Sequence, residues 1–218
     1  MGIQAGFTNT SGRITALGAY ALYANTTGTS NTALGGYDGT VDAALFSNTT
    51  GSYNTATGVG ALKSNTTASN NTAVGFQAGY SNTTGTSNTF LGYSAGTATT
   101  TGNYNTLVGR AAGLALTTGS SNTFVGGYDP STGGSGAEIT TGSNNTIIGA
   151  YNGNQGGLDI RTDSNNIVLS DGDGNPRGIF NSSGNFLVGT TAQLATNLTH
   201  TITCLLYTSD AADDLTRV

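Results

Sequence analysis

NTAVGFQAGYSNTTGTS, residues 71–87, is followed at Asn88 by another version of itself, and a further version opens at Asn105. Each copy begins with Asn-Thr-x-[Leu/Val/Ile]-Gly: NTAVG at Asn71, NTFLG at Asn88, NTLVG at Asn105 and NTFVG at Asn122, always 17 residues apart. A fixed period of this length, without helical heptads, marks a stacked architecture in which each repeat is one structural unit. The glycine density (35 of 218 residues) and the β-branched content exclude a helix. The fold expected is all-β: a parallel β-solenoid or β-roll of stacked 17-residue coils.

Within a unit, an extended segment is followed by a Gly, a small-residue corner at Ala78-Gly79 and a second segment ending in Thr-Thr-Gly. Two adjacent apolar residues recur in the first segment: Ala33/Leu34, Ala73/Val74, Phe90/Leu91, Leu107/Val108, Phe124/Val125 and Ile147/Ile148. Neighbours on a strand point to opposite faces, so one of each pair lines the coil and the other must meet something outside it. Two or three apolar side chains per coil return less than ordering the coil costs. The outer row therefore predicts packing against identical chains, as a homotrimer with coils stacked along a common axis. Asn71, Asn88, Asn105, Asn122 and Asn145 are the structural anchors of the repeat.

The period lapses twice in the same way. Asn31 to Asn54 and Asn122 to Asn145 each span 23 residues, six more than the rule, after Gly35-Gly36-Tyr37-Asp38 and Gly126-Gly127-Tyr128-Asp129. Four of the eight acidic residues before Cys204 (Asp38, Asp42, Asp129 and Glu138) are assigned to these insertions. Insertions in a solenoid emerge as loops on one face, often the binding face. Tyr37, Asp38, Asp42, Tyr128, Asp129 and Glu138 are thus the candidate surface-recognition residues, although loops of this length are also tolerated as plain decoration. The two insertions lie five coils apart, or ~24 Å along the axis, in a rod of nine or ten coils.

Residues 1–158 form the repeat region and residues 159–195 a transition module, read as two hairpins turning at Asp173-Gly174-Asn175 and Ser183-Gly184-Asn185. Residues 196–203 begin a linker or stem. Gly2-Ile3-Gln4-Ala5-Gly6-Phe7 parallels Gly75-Phe76-Gln77-Ala78-Gly79-Tyr80, so the chain is expected to start inside a coil. Residues 204–218, CLLYTSDAADDLTRV, obey none of the repeat grammar and resemble the conceptual translation of a sequencing-library adapter, which predicts that they are not biological.

The formal net charge is −5 with six scattered Lys and Arg, giving no electrostatic support for a nucleic-acid or anionic-membrane partner. No apolar run approaches a transmembrane helix. One Cys (Cys204) and one His (His200) leave little for metal or nucleophilic chemistry, so no enzyme, metal or cofactor is expected. Asp171-Gly172-Asp173-Gly174-Asn175 places oxygens as calcium loops do but lacks the downstream Glu, which favours a plain turn. Paired carboxylates could come only from the inserted loops, Asp159/Asp163 and Asp171/Asp173, and none has the aromatic sugar-stacking setting expected, Trp being absent, which argues against a glycosidase. The Thr-Thr slots, from Thr26-Thr27 to Thr140-Thr141, also admit an ice-binding reading, against the simpler one of strand formers with cross-strand hydrogen bonds.

NTAVGFQAGYSNTTGTSNTFLGYSAG resembles the repeats of phage tail-fibre proteins and, more loosely, the head repeats of trimeric autotransporter adhesins. NNIVLSDGDGNPRGIFNSSGNFLVGTT is similar to the region that in many tail fibres precedes a stem and a chaperone-type C-terminal domain. The resemblance covers roughly residues 2–195. It implies a homotrimeric shaft on a virion tail fibre that projects an element binding a receptor or glycan of a bacterial host. A bacterial cell-surface adhesin is the alternative.

Overall fold

The computed structural model describes residues 2–10, 12–130 and 133–188. The stem residues 196–203, with His200, and the adapter-like residues 204–218, with Cys204, lie outside these. Among the described residues there is no helix. Seven strands open the chain: β1 (Ile14–Leu17), β2 (Asn31–Leu34), β3 (Thr55–Thr57), β4 (Thr72–Val74), β5 (Thr89–Leu91), β6 (Thr106–Val108) and β7 (Thr123–Val125). A hairpin of β8 (Tyr128–Asp129) and β9 (Gly133–Gly134) precedes β10 (Thr146–Ile148). A second hairpin, β11 (Asn154–Gln155) and β12 (Leu158–Asp159), precedes β13 (Ile167–Ser170), β14 (Pro176–Phe180) and β15 (Phe186–Val188).

β1 to β7, β10 and β13 stack in parallel, one strand per coil, as the solenoid expectation requires. Equivalent repeat positions pair directly: Thr72 with Thr89, Ala73 with Phe90, Val74 with Leu91. At β13 the pairing changes. β13 is parallel to β10 but antiparallel to β14, which is antiparallel to β15, so two hairpins close this end of the sheet as their turn residues foretell.

The motif glycine follows from the stacking. A Cβ on Gly92 would lie 2.4 Å from the carbonyl oxygen of Gly109 in the next coil, and its φ is +137°. Only a residue without a side chain lets the backbones approach this closely.

The remainder of the unit at residues 71–87 contains no strand. Its backbone makes three linked turns, in which the amides of Ala78, Tyr80 and Asn82 donate to the carbonyls of Gly75, Gln77 and Gly79. The intervening amides of Gly79 and Ser81 donate to Ala95 and Thr97 of the next coil, at 2.9 and 3.1 Å. Turns and coil-to-coil bonds thus alternate along this stretch, pairing its donors much as a sheet would.

Asparagine ladders run through the buried interior. The Oδ1 of Asn71 accepts from the amide of Asn88, Asn88 from Asn105, and Asn105 from Asn122, at 2.9 to 3.0 Å. Each Nδ2 donates onward, Asn71 to Gly85, Asn88 to Gly102 and Asn105 to Gly119. Asn145 continues the column by accepting from the amide of Asn166. The anchors are thus buried amides that bond coil to coil. A second column links Asn9, Asn25, Asn48, Asn65 and Asn82 through Nδ2-to-Oδ1 bonds. It gives way to Thr99 and then to Leu116, Ile139 and Ile160, which are buried.

The apolar core changes hands along the rod. In the early coils the strand supplies a small residue and the turn a large one: Ala33 with Leu45, Ala56 with Leu62. Later the strand supplies the bulk and the turn only Gly: Phe90 with Gly96, Leu107 with Gly113, Phe124 with Gly136. A Cβ on Gly96 would lie 2.4 Å from the Phe90 ring. The interior volume is kept while its source moves from one wall to the other.

Outside the sheet, the second residue of each apolar pair stands free of the coil. Leu17, Leu34, Leu91, Ile148 and Leu169 are exposed, and Val74, Val108 and Val125 are half-buried. Only Thr57 interrupts this aliphatic column.

Candidate functional site

Both six-residue insertions leave the coil at the same phase, just after the motif glycine. In a regular coil the amide of Ala61 closes a turn on Gly58. In the first insertion the corresponding bond joins Ala44 to Gly35 at 3.0 Å, and residues 36–43 loop out between them. In the second, β8 and β9 form a hairpin, with Tyr128 paired to Gly134. The loops therefore share one face, and β2 and β7, which precede them, are five ladder steps apart.

The first loop is braced from within. The carboxylate of Asp38 accepts from the amides of Thr40 and Val41 (2.8 and 2.7 Å) and from the Thr40 hydroxyl (2.9 Å). The Val41 and Thr40 amides hold its pKa below the usual carboxylate value. The Tyr37 hydroxyl donates to the carbonyl of Gly39. Asp42 pairs with Lys63 at 3.3 Å, and the Lys63 ammonium stands 5.4 Å from the centre of the Tyr80 ring.

Aromatic side chains that the repeat brings into phase gather beneath this loop. Phe7, Tyr23 and Phe46 stack in three successive coils, with ring centres 5.6 and 5.4 Å apart and nearly parallel planes. Tyr20 tilts against Tyr23, and Tyr37 meets Tyr20 edge-on at 6.1 Å. Tyr20, Tyr37, Asp42 and Phe46 line a cleft of about 320 Å³.

The second insertion rests on a similar column. Phe76 stacks on Tyr93 at 5.3 Å, the Arg110 guanidinium lies 5.6 Å from the Tyr93 ring, and Tyr128 covers it at 3.8 Å. Arg110 is held between two rings, one from the coil and one from the hairpin. Asp129 is the second residue of β8.

Glu138 does not belong to this loop. It lies beyond β9, exposed on the turn side of the coil, where its amide donates to the Asn152 carbonyl and its Oε1 accepts from Asn152 Nδ2 at 3.1 Å. Of the six candidate residues, Tyr37 and Asp42 are brought to one cleft, Asp38 braces their loop, and Tyr128 and Asp129 sit on the second hairpin.

Two further carboxylates are occupied. Asp171 accepts from Arg177 and from the amides of Asp173 and Asn175, and the Arg177 guanidinium brings its pKa down to about 2. This is a turn-closing role. Asp159 pairs with Arg161 at 2.8 Å, which holds its pKa low, beside a hollow that Thr140 and Asp163 also line. Among the described residues no three His, Cys, Asp or Glu gather as a metal site would need. Tyr151 is buried, its hydroxyl donates to the Leu158 carbonyl, and burial pushes its pKa well above the phenol range.

The threonine slots divide by role. The hydroxyls of Thr49, Thr66, Thr83 and Thr100 donate to the threonine carbonyls of the next coil, at 3.0 to 3.2 Å. The second threonines, such as Thr50, Thr67 and Thr84, are exposed.

Sequence reasoning missed Tyr20, Tyr23, Phe46, Tyr93 and Arg110. The available signal was phase: Phe76, Tyr93 and Arg110 are 17 residues apart.

No protein-family model, no curated protein and no solved structure matches the chain.

Proposed function

We propose that this chain is the shaft segment of a homotrimeric attachment fibre, of the kind carried on a phage tail, and that it works by geometry rather than catalysis. The observation that carries the reading is the outward aliphatic column: Leu17, Leu34, Val74, Leu91, Val108, Val125, Ile148 and Leu169 stand in line along one sheet face. An apolar stripe of this length, broken only at Thr57, marks an interaction surface. Its spacing is that of the coils themselves, and a second copy of the same rod is the partner whose rows match it at every step. Three copies packed on these stripes would form a stiff shaft, with the insertion loops turned outward and repeated for avidity at a cell surface.

The support for attachment is the placement of both insertions on one face, each over an aromatic column. Paired hydroxyls of an ice-binding face fit less well, because the first threonine of the pair bonds within the stack at Thr49, Thr66, Thr83 and Thr100.

Sedimentation equilibrium of the purified chain tests the assembly. The expected mass is three times that of one chain, and Leu91→Asp with Val108→Asp should return it to the monomer with its β-sheet circular dichroism retained. A wild-type chain that stays monomeric and folded at micromolar concentration would refute the trimer.

A further inference from the structure

We infer that the cleft under the first insertion is a carbohydrate-binding site for a single neutral pyranose ring of a glycan. The inference rests on the attachment reading for its biological setting and on geometry for its chemistry.

The walls are three rings, Tyr20, Tyr37 and Phe46, and the polar element is one carboxylate, Asp42. A volume of about 320 Å³ suits a small ligand rather than a peptide segment. A pyranose has an apolar C–H face and a rim of hydroxyls. Aromatic planes accept the first, and a carboxylate oxygen pair accepts from adjacent members of the second.

The site is built before any ligand arrives. Phe46 is held flat against Tyr23, at 5.4 Å and 9°. Tyr37 is 46% exposed, yet its hydroxyl is tied to the Gly39 carbonyl and its loop is closed by three hydrogen bonds to Asp38. An exposed ring on a braced loop loses little freedom on binding.

The charge of the cleft selects among ligands. Rings set almost at right angles (Tyr20 and Tyr37, 86°) with a carboxylate nearby are also the parts of a cage for a quaternary ammonium group. Here the Lys63 ammonium lies 3.3 Å from Asp42 and already neutralises it. A cationic ligand would meet that like charge, whereas a neutral sugar would find both an acceptor and a donor.

Saturation-transfer NMR on the full chain tests this, with the methyl pyranosides of glucose, galactose, mannose and N-acetylglucosamine as probes and tetramethylammonium as the cationic control. At least one pyranoside should receive transfer at its ring C–H protons with millimolar affinity. Tyr37→Ala should abolish the transfer, and Asp42→Asn should weaken it about tenfold. Tyr37 sits on an inserted loop, so its variant should keep the wild-type circular dichroism and melting temperature.

Absence of transfer to all four sugars, transfer unaffected by Tyr37→Ala, or displacement by tetramethylammonium would each overturn the site. Host-cell adsorption separates the two readings. Binding to cells by a chain that takes up none of the sugars removes the cleft and keeps the attachment role. Sugar binding by a chain that adsorbs to no cell keeps the cleft and removes that role.

Discussion

Gly79 and Phe90 occupy one space: a Cβ on Gly79 would lie 2.5 Å from Cδ2 of the Phe90 ring in the next coil. Backbone conformation does not demand this glycine. At the equivalent position one coil earlier, Leu62 has a φ of +50°, close to the +61° of Gly79. The ring of Phe90 is what excludes a side chain, so the two positions should be exchangeable as a pair. Phe90→Ala is expected to cost about 3–5 kcal/mol through the cavity it leaves. Gly79→Leu is expected to cost about 1–3 kcal/mol or more through overpacking. Together they recreate the Ala73-after-Leu62 arrangement one coil further on. The double variant should be more stable than the sum of the single losses by about 1–3 kcal/mol in urea unfolding.

The two asparagine columns predict effects of opposite sign. Asn105→Ala strips the acceptor from the Asn122 amide and Nδ2 (3.0 and 3.1 Å) and the donor from the Gly119 carbonyl. Each buried group left unpaired should cost about 1–3 kcal/mol. In the second column, Asn82 Oδ1 and Thr99 Oγ1 are buried without hydrogen-bond partners where the amides give way to apolar residues. Thr99→Val should leave stability unchanged or raise it by up to about 1 kcal/mol. Thermal unfolding of the two variants checks both.

Arg110 lies under Tyr128 and fastens the second hairpin to its coil. Arg110→Ala should loosen that hairpin while leaving the stack intact, at a cost of about 0.5–2 kcal/mol. Hydrogen exchange would report faster exchange in β8 and β9 and unchanged protection in β6 and β7.

Acid should act on the hairpins that close the sheet. The folded pKa of Asp171 is about 2 against an ordinary 3.8, so the folded form binds its proton less readily than the unfolded chain. Its stabilising contribution is therefore complete above the ordinary value and lost as the pH falls through about 2. A carboxyl NMR titration should place the Asp171 midpoint near 2, and Arg177→Ala should move it upward toward 3.8.

The period and the apolar pair made the strand side of the coil legible, because strand stacking repeats sequence phase directly. Ala73 over Phe90 and Val74 over Leu91 follow from counting. The turn side was less so. Gln77, Leu62 and Tyr53 adopt positive φ, a region that residues with side chains rarely enter, and composition gave no warning of it. Stacked turns hold them there by hydrogen bonds to neighbouring coils that no local signal encodes. At the face that carries the insertions, Tyr37 and Asp42 were visible because the period breaks around them. Tyr20 was hidden within a nominally regular unit and Phe46 in the part of the long interval that follows the loop, where an aromatic looks like any other variation. Glu138 was drawn into the insertion by its position in the long interval, but the hairpin closes before it, at β9.

The handover of bulk from Leu62 to Phe90 also gives each coil an address. A rod of identical units can slide by one step against itself and lose nothing, which is the usual route by which repeats mispair during folding. Here a one-coil slip would set Phe90 against Leu62 or leave Ala73 between Gly79 and Gly96, with a clash in one case and a void in the other. Uneven filling thus makes a monotonous chain countable, so that its loops emerge at fixed heights.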